Sequence, residues 1–547
     1  MKQTVGIYLL ETLEAHGVRH VFGIPGVHNL ELYRGLAQSG IRHIAGRHEQ
    51  GVGFMADGYA RVARRAGVCF TITGPGLSNI ATAMAQAYGD SIPLLVISSE
   101  NRTNEMGTGR GFLHEMPDQF GIAARVTGTS RRIGRPEDLP EALSQAFAGF
   151  ANARPRPAYV EIPRDILAAD ANGLPPPSPI GSPAPAPKPL LAEVVSAAAR
   201  RLRAAQAPVI LVGGGALGAA AELRQLAELI DAPVVMTTNA RGLLPPSHPL
   251  NVSKSPSLAA VRALIAAADV VLAVGTELGP TDYDMYSLAD FPQPPNLIRI
   301  DIDAAQLTHS AKSALCIQAD AATALRSILV AALKSARPAS IAAGLDAGAV
   351  GTGADRAADA CTSSLAELAP PMRRQLLFLQ TIRDALPTAI MVGDSTQPVY
   401  AGNLGFAAAS PGSWFNSATG FGTLGYALPA STGAGLAAPD RPIVCLVGDG
   451  GIQFSLGELA VLREVNAWSA IVIWNNYGYG EIKTSMLSAG MTPVGVDVRP
   501  PDFTHLAWAY GYAHRCIDSI DSLQRSVQEF AARRQVMILE VRAEAFE

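Results

Sequence analysis

The stretch IVCLVGDGGIQFSLGELAVLREVNAWSAIVIWNN, residues 443 to 476, decides the fold. Ile443 to Val447 is a short apolar run that predicts a strand, and it ends at the turn Gly448-Asp449-Gly450-Gly451. Ser455 to Val465 has helical spacing, and Ala470 to Trp474 predicts a second buried strand ending at Asn475-Asn476. A strand-helix-strand unit of this kind sets the carboxyl ends of its parallel strands side by side, where ligands of open α/β sheets bind. Asp449 and Asn476 would then offer oxygen ligands to a hard cation such as Mg²⁺, which takes the rest of its shell from a bound phosphate. The glycines let the backbone approach a diphosphate closely. Gly-Asp-Gly alone is also an ordinary turn with an Asp cap. The Asn pair, separated from Gly450 by 24 residues, makes the stretch informative.

Outward from this unit, 547 residues predict about three domains. The chain is 48% hydrophobic and 16% charged, with net charge −4, so no basic excess points to nucleic acid. Its five cysteines are scattered without a CxxC pair, and several lie in apolar runs; they read as reduced core residues of a cytoplasmic protein. The opening MKQTVGIYLLETLEAHGV carries Glu11 and Glu14 and reads as an amphipathic helix rather than a signal peptide. No apolar run is long enough to predict a membrane span.

Two composition breaks divide the chain. Leu174 to Pro189 is a proline-rich connector, and Ser335 to Pro370 is an Ala/Gly/Ser-rich stretch that reads as a second linker. The three pieces, 1–173, 190–334 and 371–547, each alternate apolar strands with helical stretches. The fold class is therefore α/β, with three doubly wound, mostly parallel-sheet domains. Strands are expected at His20-Gly23, Cys69-Thr73, Leu94-Ser98 and Ala158-Ile162 in the first. The middle offers Val209-Val212, Val234-Met236, Val270-Val274 and Leu297-Asp301. The third offers Ile390-Val392, Ile443-Val447, Ala470-Trp474 and Met537-Val541.

The spacing of GDG and NN, in this domain order, resembles the thiamine diphosphate (ThDP)-dependent acetolactate synthase/pyruvate decarboxylase superfamily. The resemblance runs over essentially the whole chain and implies pyrimidine-binding, central and diphosphate-binding domains. Such enzymes need a metal to anchor the diphosphate and a carboxylate at pyrimidine N1′ to activate the cofactor; the cofactor supplies the electron sink. RHEQGVGFMADGYAR, residues 47 to 61, resembles the glutamate-bearing helix start, with Glu49 in the glutamate position and apolar neighbours around it. Glu49 is otherwise a helix-start residue favoured by the dipole. Thr73-Gly74-Pro75-Gly76, before a helix expected near Asn79, looks like the loop over the pyrimidine, or a plain Gly-Pro turn. Phe22-Gly23-Ile24-Pro25-Gly26 resembles the family's opening turn beside the substrate. In GFGTLGYALP, residues 420 to 429, Leu424 matches the residue that props the bent cofactor, with Thr423 beside it; alone it reads as core. The resemblance assigns Asp449, Asn476 and the carbonyl of Gly478 to the metal. It assigns Gln397, Gly448, Gly450, Gly451 and Tyr479, with Pro25, Gly74, Gly76 and Asn79, to the cofactor. Glu49 and the GDG–NN unit lie in different domains, and the family joins them across subunits, so at least a homodimer, or a homotetramer, is implied.

The departures bear on the reaction. Acetolactate synthases carry an FAD-linked Arg-Phe-Asp-Asp-Arg stretch, where this chain reads GTELGPTDYD at 275 to 284, so FAD is not expected. Gly213-Gly214-Gly215 leaves a nucleotide-facing turn open. Pyruvate decarboxylases place an Asp after the first Pro-Gly, where this chain has Val27-His28, and a His-His pair, where it has His114-Glu115. His28, His114 and Glu115 are thus candidate acid-base groups, or surface and core-bonded residues. Glu481 stands where relatives carry an apolar residue facing the substrate, either as a proton relay or cation partner or as a helix-start Glu.

FGIPGVHNLELYRGL, GRGFLHEMPDQ and GTELGPTDYD look most like the 2-ketoarginine (5-guanidino-2-oxopentanoate) decarboxylases. That resemblance implies decarboxylation of a small-molecule 2-oxo acid with a cationic tail, with Glu481, Asp282 and Asp284 as carboxylate partners for the guanidinium. A carboligase of the acetolactate synthase kind and a non-catalytic binding homologue are the related alternatives. A nicotinamide-dependent oxidoreductase is the alternative of another class, but it leaves the Glu49, GDG and NN pattern unexplained.

Overall fold

The computed structural model describes residues 3–178, 190–283, 293–294, 296–334 and 351–546. Its named strands form three six-stranded sheets, and the strands pair in parallel throughout. The first contains β1 (His20–Gly23), β2 (Arg42–Ala45), β3 (Gly67–Thr71), β4 (Leu94–Glu100), β5 (Thr129–Arg132) and β6 (Ala158–Pro163), in the order β2-β1-β3-β4-β6-β5. The second contains β7 (Val209–Val212), β8 (Val234–Met236), β9 (Asn251–Val252), β10 (Val271–Val274), β11 (Leu297–Asp301) and β12 (Leu315–Gln318), ordered β12-β11-β10-β7-β8-β9. The third contains β13 (Ile390–Gly393), β14 (Trp414–Asn416), β15 (Ile443–Gly448), β16 (Ser469–Asn475), β17 (Ala513–Ile517) and β18 (Met537–Arg542), ordered β14-β13-β15-β16-β18-β17.

The first and third sheets therefore share one topology, and the middle one has the dinucleotide-binding order. In each, the direction of winding reverses between two central strands, and the crevice beyond their carboxyl ends is where ligands bind. In the first sheet those strands are β1 and β3, leading into the Pro25 and Gly74 turns. In the third they are β13 and β15, so Gly448-Asp449-Gly450 lies at the reversal point. Every residue of β4, β6 and β16 is buried, as sheets covered by helices on both faces require.

The expected α/β architecture is present, with differences that have physical reasons. Every expected strand exists, and the six additional ones (β2, β5, β9, β12, β14 and β17) are the two edges of each sheet. Edge strands are short, so they carry no long apolar run. Cys316 and Cys516 lie on two of them and are exposed, whereas Cys69 and Cys445 are buried as expected and Cys361 partly so; all five are free thiols. The helix expected near Asn79 begins at Pro75, because proline fits the first turn. The helix expected from Ser455 is α-helical only over Leu459–Glu464, after two tight turns at Gly451–Phe454 and Leu456–Glu458.

The second supposed linker contains a helix, Gly353–Glu367, opened by a reciprocal cap between Thr352 and Asp355. Asp231 accepts from Gly353 N at 2.7 Å, and Glu367 accepts from Ala259 N and Ala260 N, so the helix docks on the middle domain. Its buried face is built from Ala357, Ala360 and Ser364, too small to stand out as an apolar stripe. Residues 179–189 of the first connector and 335–350 of the second lie outside the described residues. Among the described residues no helix is long and apolar enough to cross a membrane.

The domains share cores. One apolar cluster joins the middle and third sheets, and another joins the first and third. In the second cluster the helix Glu49–Ala63 crosses Ala427–Ala437 at glycine contacts: a Cβ on Gly433 would lie 1.8 Å from Met55 O, and one on Gly58 2.1 Å from Ala430 O. Arg241 rivets the middle domain to the third. It is buried and donates to the carbonyls of Gly402 (2.5 Å), Phe406 (2.6 Å) and Asn403.

Candidate active site

At the end of β15 and β16 three oxygens converge. The amide oxygen of Asn476 stands 2.8 Å from Gly478 O and 3.1 Å from Asp449 Oδ1, the latter also accepting from Asn476 N at 3.5 Å. The other Asp449 oxygen, Oδ2, is buried without a partner, and burial pushes the carboxyl up to about 6. Such a set is costly empty and suits a hard cation, which prefers carboxylate, amide and carbonyl oxygen. Asn476 Nδ2 donates to Gln397 Oε1 (3.2 Å), which also accepts from Trp474 Nε1 (2.9 Å), so Gln397 fixes the amide's direction. Among the described residues no group of three His, Cys, Asp or Glu offers a competing metal site.

The backbone around the oxygens is shaped by close approach. Gly478 has φ +146°, and a Cβ there would lie 2.2 Å from Val496 O. The ring of Tyr479 occupies the space a Cβ on Gly450 would need. Gly448 and Gly451 keep the turn open beside Thr396 and Asp394, and the buried Asp394 was not foreseen from sequence. Thr423 N donates to Gln86 Oε1 (3.3 Å), tying the Leu424 turn to the first domain.

The other half of the expected site lies on the first sheet. Glu49 opens the helix Glu49–Ala63, is 9% exposed, and accepts from Asn79 Nδ2 at 3.0 Å. Gly74 has φ +68°, and its N–H donates to the buried Gln119 at 2.6 Å. Gly76, next in the loop, packs on Ile72. The exposed Pro25 turn is braced by Asn29, which accepts from Gly26 N (2.8 Å) and donates to Ile24 O (3.1 Å). His28 and His114 meet edge to face, ring centroids 4.8 Å apart. Burial, and then the neighbouring His114 and Arg164, lower the pKa of His28 below its ordinary value. Glu115 gathers the N–H groups of Gly109, Gly111 and Phe112, which hold its carboxyl low and fold the loop that carries His114.

Two residues that sequence reasoning did not single out complete this half. Asn101 is buried, donates to Leu113 O, and turns an otherwise unpartnered oxygen toward the His28 side. Glu458 is buried beneath the first turn of the Glu49 helix. A lone acid inside the apolar run LGELAVL was its only sequence signal.

The three suggested substrate carboxylates are not brought together. Glu481 opens the helix Gly480–Ser488, none of whose residues is buried. Asp282 lines a different cavity of about 520 Å³ between the domains, with Gly213, Gly214, Gly275, Asp90 and Phe415. There it accepts from Thr238 N (3.2 Å), and burial pushes it up to about 6. Asp284 lies outside the described residues. In the same cavity the glycine run serves packing: a Cβ on Gly213 would lie 2.2 Å from Gly275 O.

Comparison with known proteins assigns the family to this arrangement. The thiamine pyrophosphate enzyme N-terminal TPP binding domain matches residues 3–122, the central domain 195–328 and the C-terminal TPP binding domain 394–541. The chain is a thiamine pyrophosphate enzyme. Among its relatives is the probable 2-ketoarginine decarboxylase of Pseudomonas aeruginosa, 44% identical over 98% of this chain and 94% of that protein. The acetolactate synthase isozyme 1 large subunit of Escherichia coli is 30% identical, over 99% and 94%. The acetolactate synthase large subunit of Parasynechococcus marenigrum is 31% identical, over 92% and 81%. In this thiamine pyrophosphate enzyme the β15–β16 oxygens belong to the C-terminal TPP binding domain and Glu49 to the N-terminal one.

Proposed function

We propose that the chain is a ThDP- and Mg²⁺-dependent 2-oxo acid decarboxylase that converts 5-guanidino-2-oxopentanoate to 4-guanidinobutanal and CO₂. The observation that carries this reading is the 44% identity, over nearly the full chain, with the probable 2-ketoarginine decarboxylase. The convergent oxygens of Asp449, Asn476 and Gly478 fit Mg²⁺, and the open glycine turn at Gly448 to Gly451 fits a diphosphate beside it. ThDP, when bound, supplies the nucleophilic carbon and electron sink that side chains lack.

The residues then divide the labour. Glu49, set by Asn79, would hold the proton exchanged at pyrimidine N1′. His28, edge to face with His114, would supply a proton; burial and the neighbouring charge of His114 hold its pKa below the ordinary value. That proton would go to the carbon that loses CO₂, so the 2-oxo acid plus one proton leaves as aldehyde plus CO₂. Glu481, exposed at a helix start, would be the carboxylate that meets a cationic tail. Glu49 and the metal oxygens sit on different domains, so we place the working site between two copies of the chain, in a homodimer or larger assembly.

Steady-state kinetics on 5-guanidino-2-oxopentanoate, pyruvate and benzoylformate, with product identification, test the reading. Preference for the guanidino acid with release of the aldehyde supports it. Preference for pyruvate with formation of acetolactate would replace it with the carboligase function carried by the 30% identical relatives. A yellow purified protein would add a flavin to the cavity beside Gly213.

A further inference from the structure

We infer that Glu458 is a positioning residue for Glu49, setting the direction of the helix that presents it. Glu458 belongs to the C-terminal TPP binding domain, nine positions beyond Asp449, whereas the helix it holds belongs to the N-terminal one. Its carboxylate is 1% exposed. Oε1 accepts from Arg47 N (3.0 Å) and from His48 N (3.0 Å), and Oε2 accepts from Arg47 N (3.2 Å). These are the two backbone donors immediately before Glu49, and His48 is the residue that caps the helix.

The helix is built to receive this carboxylate. A Cβ on Gly51 would fall 2.3 Å from Glu458 Oε1 and 2.7 Å from its Cδ, so the first turn admits the acid only because residue 51 is glycine. A carboxylate that accepts N–H groups at the positive end of a helix is held both by those bonds and by the helix dipole. Arg47 is held from further sides: its guanidinium donates to Ala45 O at 2.9 Å and pairs with Glu464. The backbone leading into Glu49 thus has three fixed points, two of them on the segment that follows the metal anchor.

Burying an acid is costly, and burial raises the Glu458 carboxyl to about 7. An apolar side chain could fill the same volume, but it could not orient two N–H groups. The position of Glu49 is in this way tied to the loop that carries Asp449. This inference rests on the ThDP reading proposed above. In the dimer of that reading, Glu458 links the cofactor a subunit anchors to the cofactor it activates.

The test measures deuterium exchange of the C2 proton of bound ThDP by NMR, together with ThDP affinity and amide hydrogen exchange over residues 45–52 of the cofactor-free protein. In Glu458→Ala, C2 exchange and kcat should fall together by about tenfold to a hundredfold, the usual cost of a misplaced catalytic group. ThDP affinity and KM should stay within about threefold, and the 45–52 amides should exchange faster. Glu458→Gln keeps an oxygen acceptor and should recover most of the rate. Gly51→Ala, which pushes on the carboxylate from the helix side, should reproduce the defect and decides the matter if Glu458→Ala does not fold. Wild-type C2 exchange in the folded Glu458 and Gly51 variants would overturn the inference, provided Glu49→Gln abolishes exchange. Normal exchange in Glu49→Gln would instead overturn the underlying cofactor reading.

Discussion

The first and third sheets have the same strand order, yet they place opposite kinds of chemistry at their reversal points. Beyond β15 the third sheet gathers oxygen: a buried carboxyl, a side-chain amide oxygen and a backbone carbonyl. Beyond β1 and β3 the first sheet gathers titratable groups: Glu49 on Asn79, and His28 against His114. Topology fixes where a ligand can sit, and the residues at that point decide whether the sheet binds or activates. The middle sheet makes a third case. It has the dinucleotide-binding order, but its glycines are taken up by contact between neighbouring turns.

This division of labour can be broken at its two poles first. Glu49→Gln should retain ThDP and Mg²⁺ binding, read by thermal shift, while losing turnover by about a hundredfold or more. Asp449→Asn should abolish the thermal shift itself, and turnover with it. If Glu49→Gln also abolished binding, the two sheets would not be separable as binder and activator. Mixing these two inactive variants sharpens the comparison. Across a subunit interface, random exchange restores about a quarter of the sites, so activity should reappear; sites confined to single chains would stay dead.

A smaller effect concerns His28. Because burial and His114 lower its pKa, the stability that neutral His28 contributes is complete above its ordinary value of 6.5 and is lost as pH falls through the lowered one. As the proton donor of the proposed reaction His28 must be charged, so the limb on which kcat/KM falls with rising pH should begin below pH 6.5, and His114→Asn, which removes a neighbouring cation, should move it upward. Smaller still, Glu481→Gln should lower kcat/KM about tenfold for 5-guanidino-2-oxopentanoate and leave a neutral 2-oxo acid of similar length unchanged. Last, Gly213→Ala should cost about 1–3 kcal/mol through its clash with Gly275, seen as a lower melting temperature with unaltered kinetics. A kinetic defect there would give the middle cavity a part in the reaction.

The interior of each sheet was legible because fully buried parallel strands are unbroken apolar runs, as Val209–Val212 and Ile443–Val447 show. The edges were not, since β5 reads Thr-Ser-Arg-Arg and shows its residues to water. The Gly353–Glu367 helix escaped notice because alanine and serine pack it. At the site, the residue types and spacing of Asp449, Asn476 and Glu49 could be read directly. What spacing could not convey was support from far along the chain. Glu458 acts on residues some four hundred positions earlier, and Asp282 is drawn by the middle sheet into a cavity that Glu481 does not line.

The glycine crossing of Glu49–Ala63 with Ala427–Ala437 bears on how substrate arrives and product leaves. With backbone pressed on backbone at Gly58 and Gly433, there is no side-chain layer to slide or thin, so the first and third domains cannot gape apart like a hinged clam. Traffic must pass through the rim. The segment Arg102 to Glu115, folded by Glu115 around the left-handed glycines 107, 109 and 111, and the exposed helix after Tyr479 are parts of that rim.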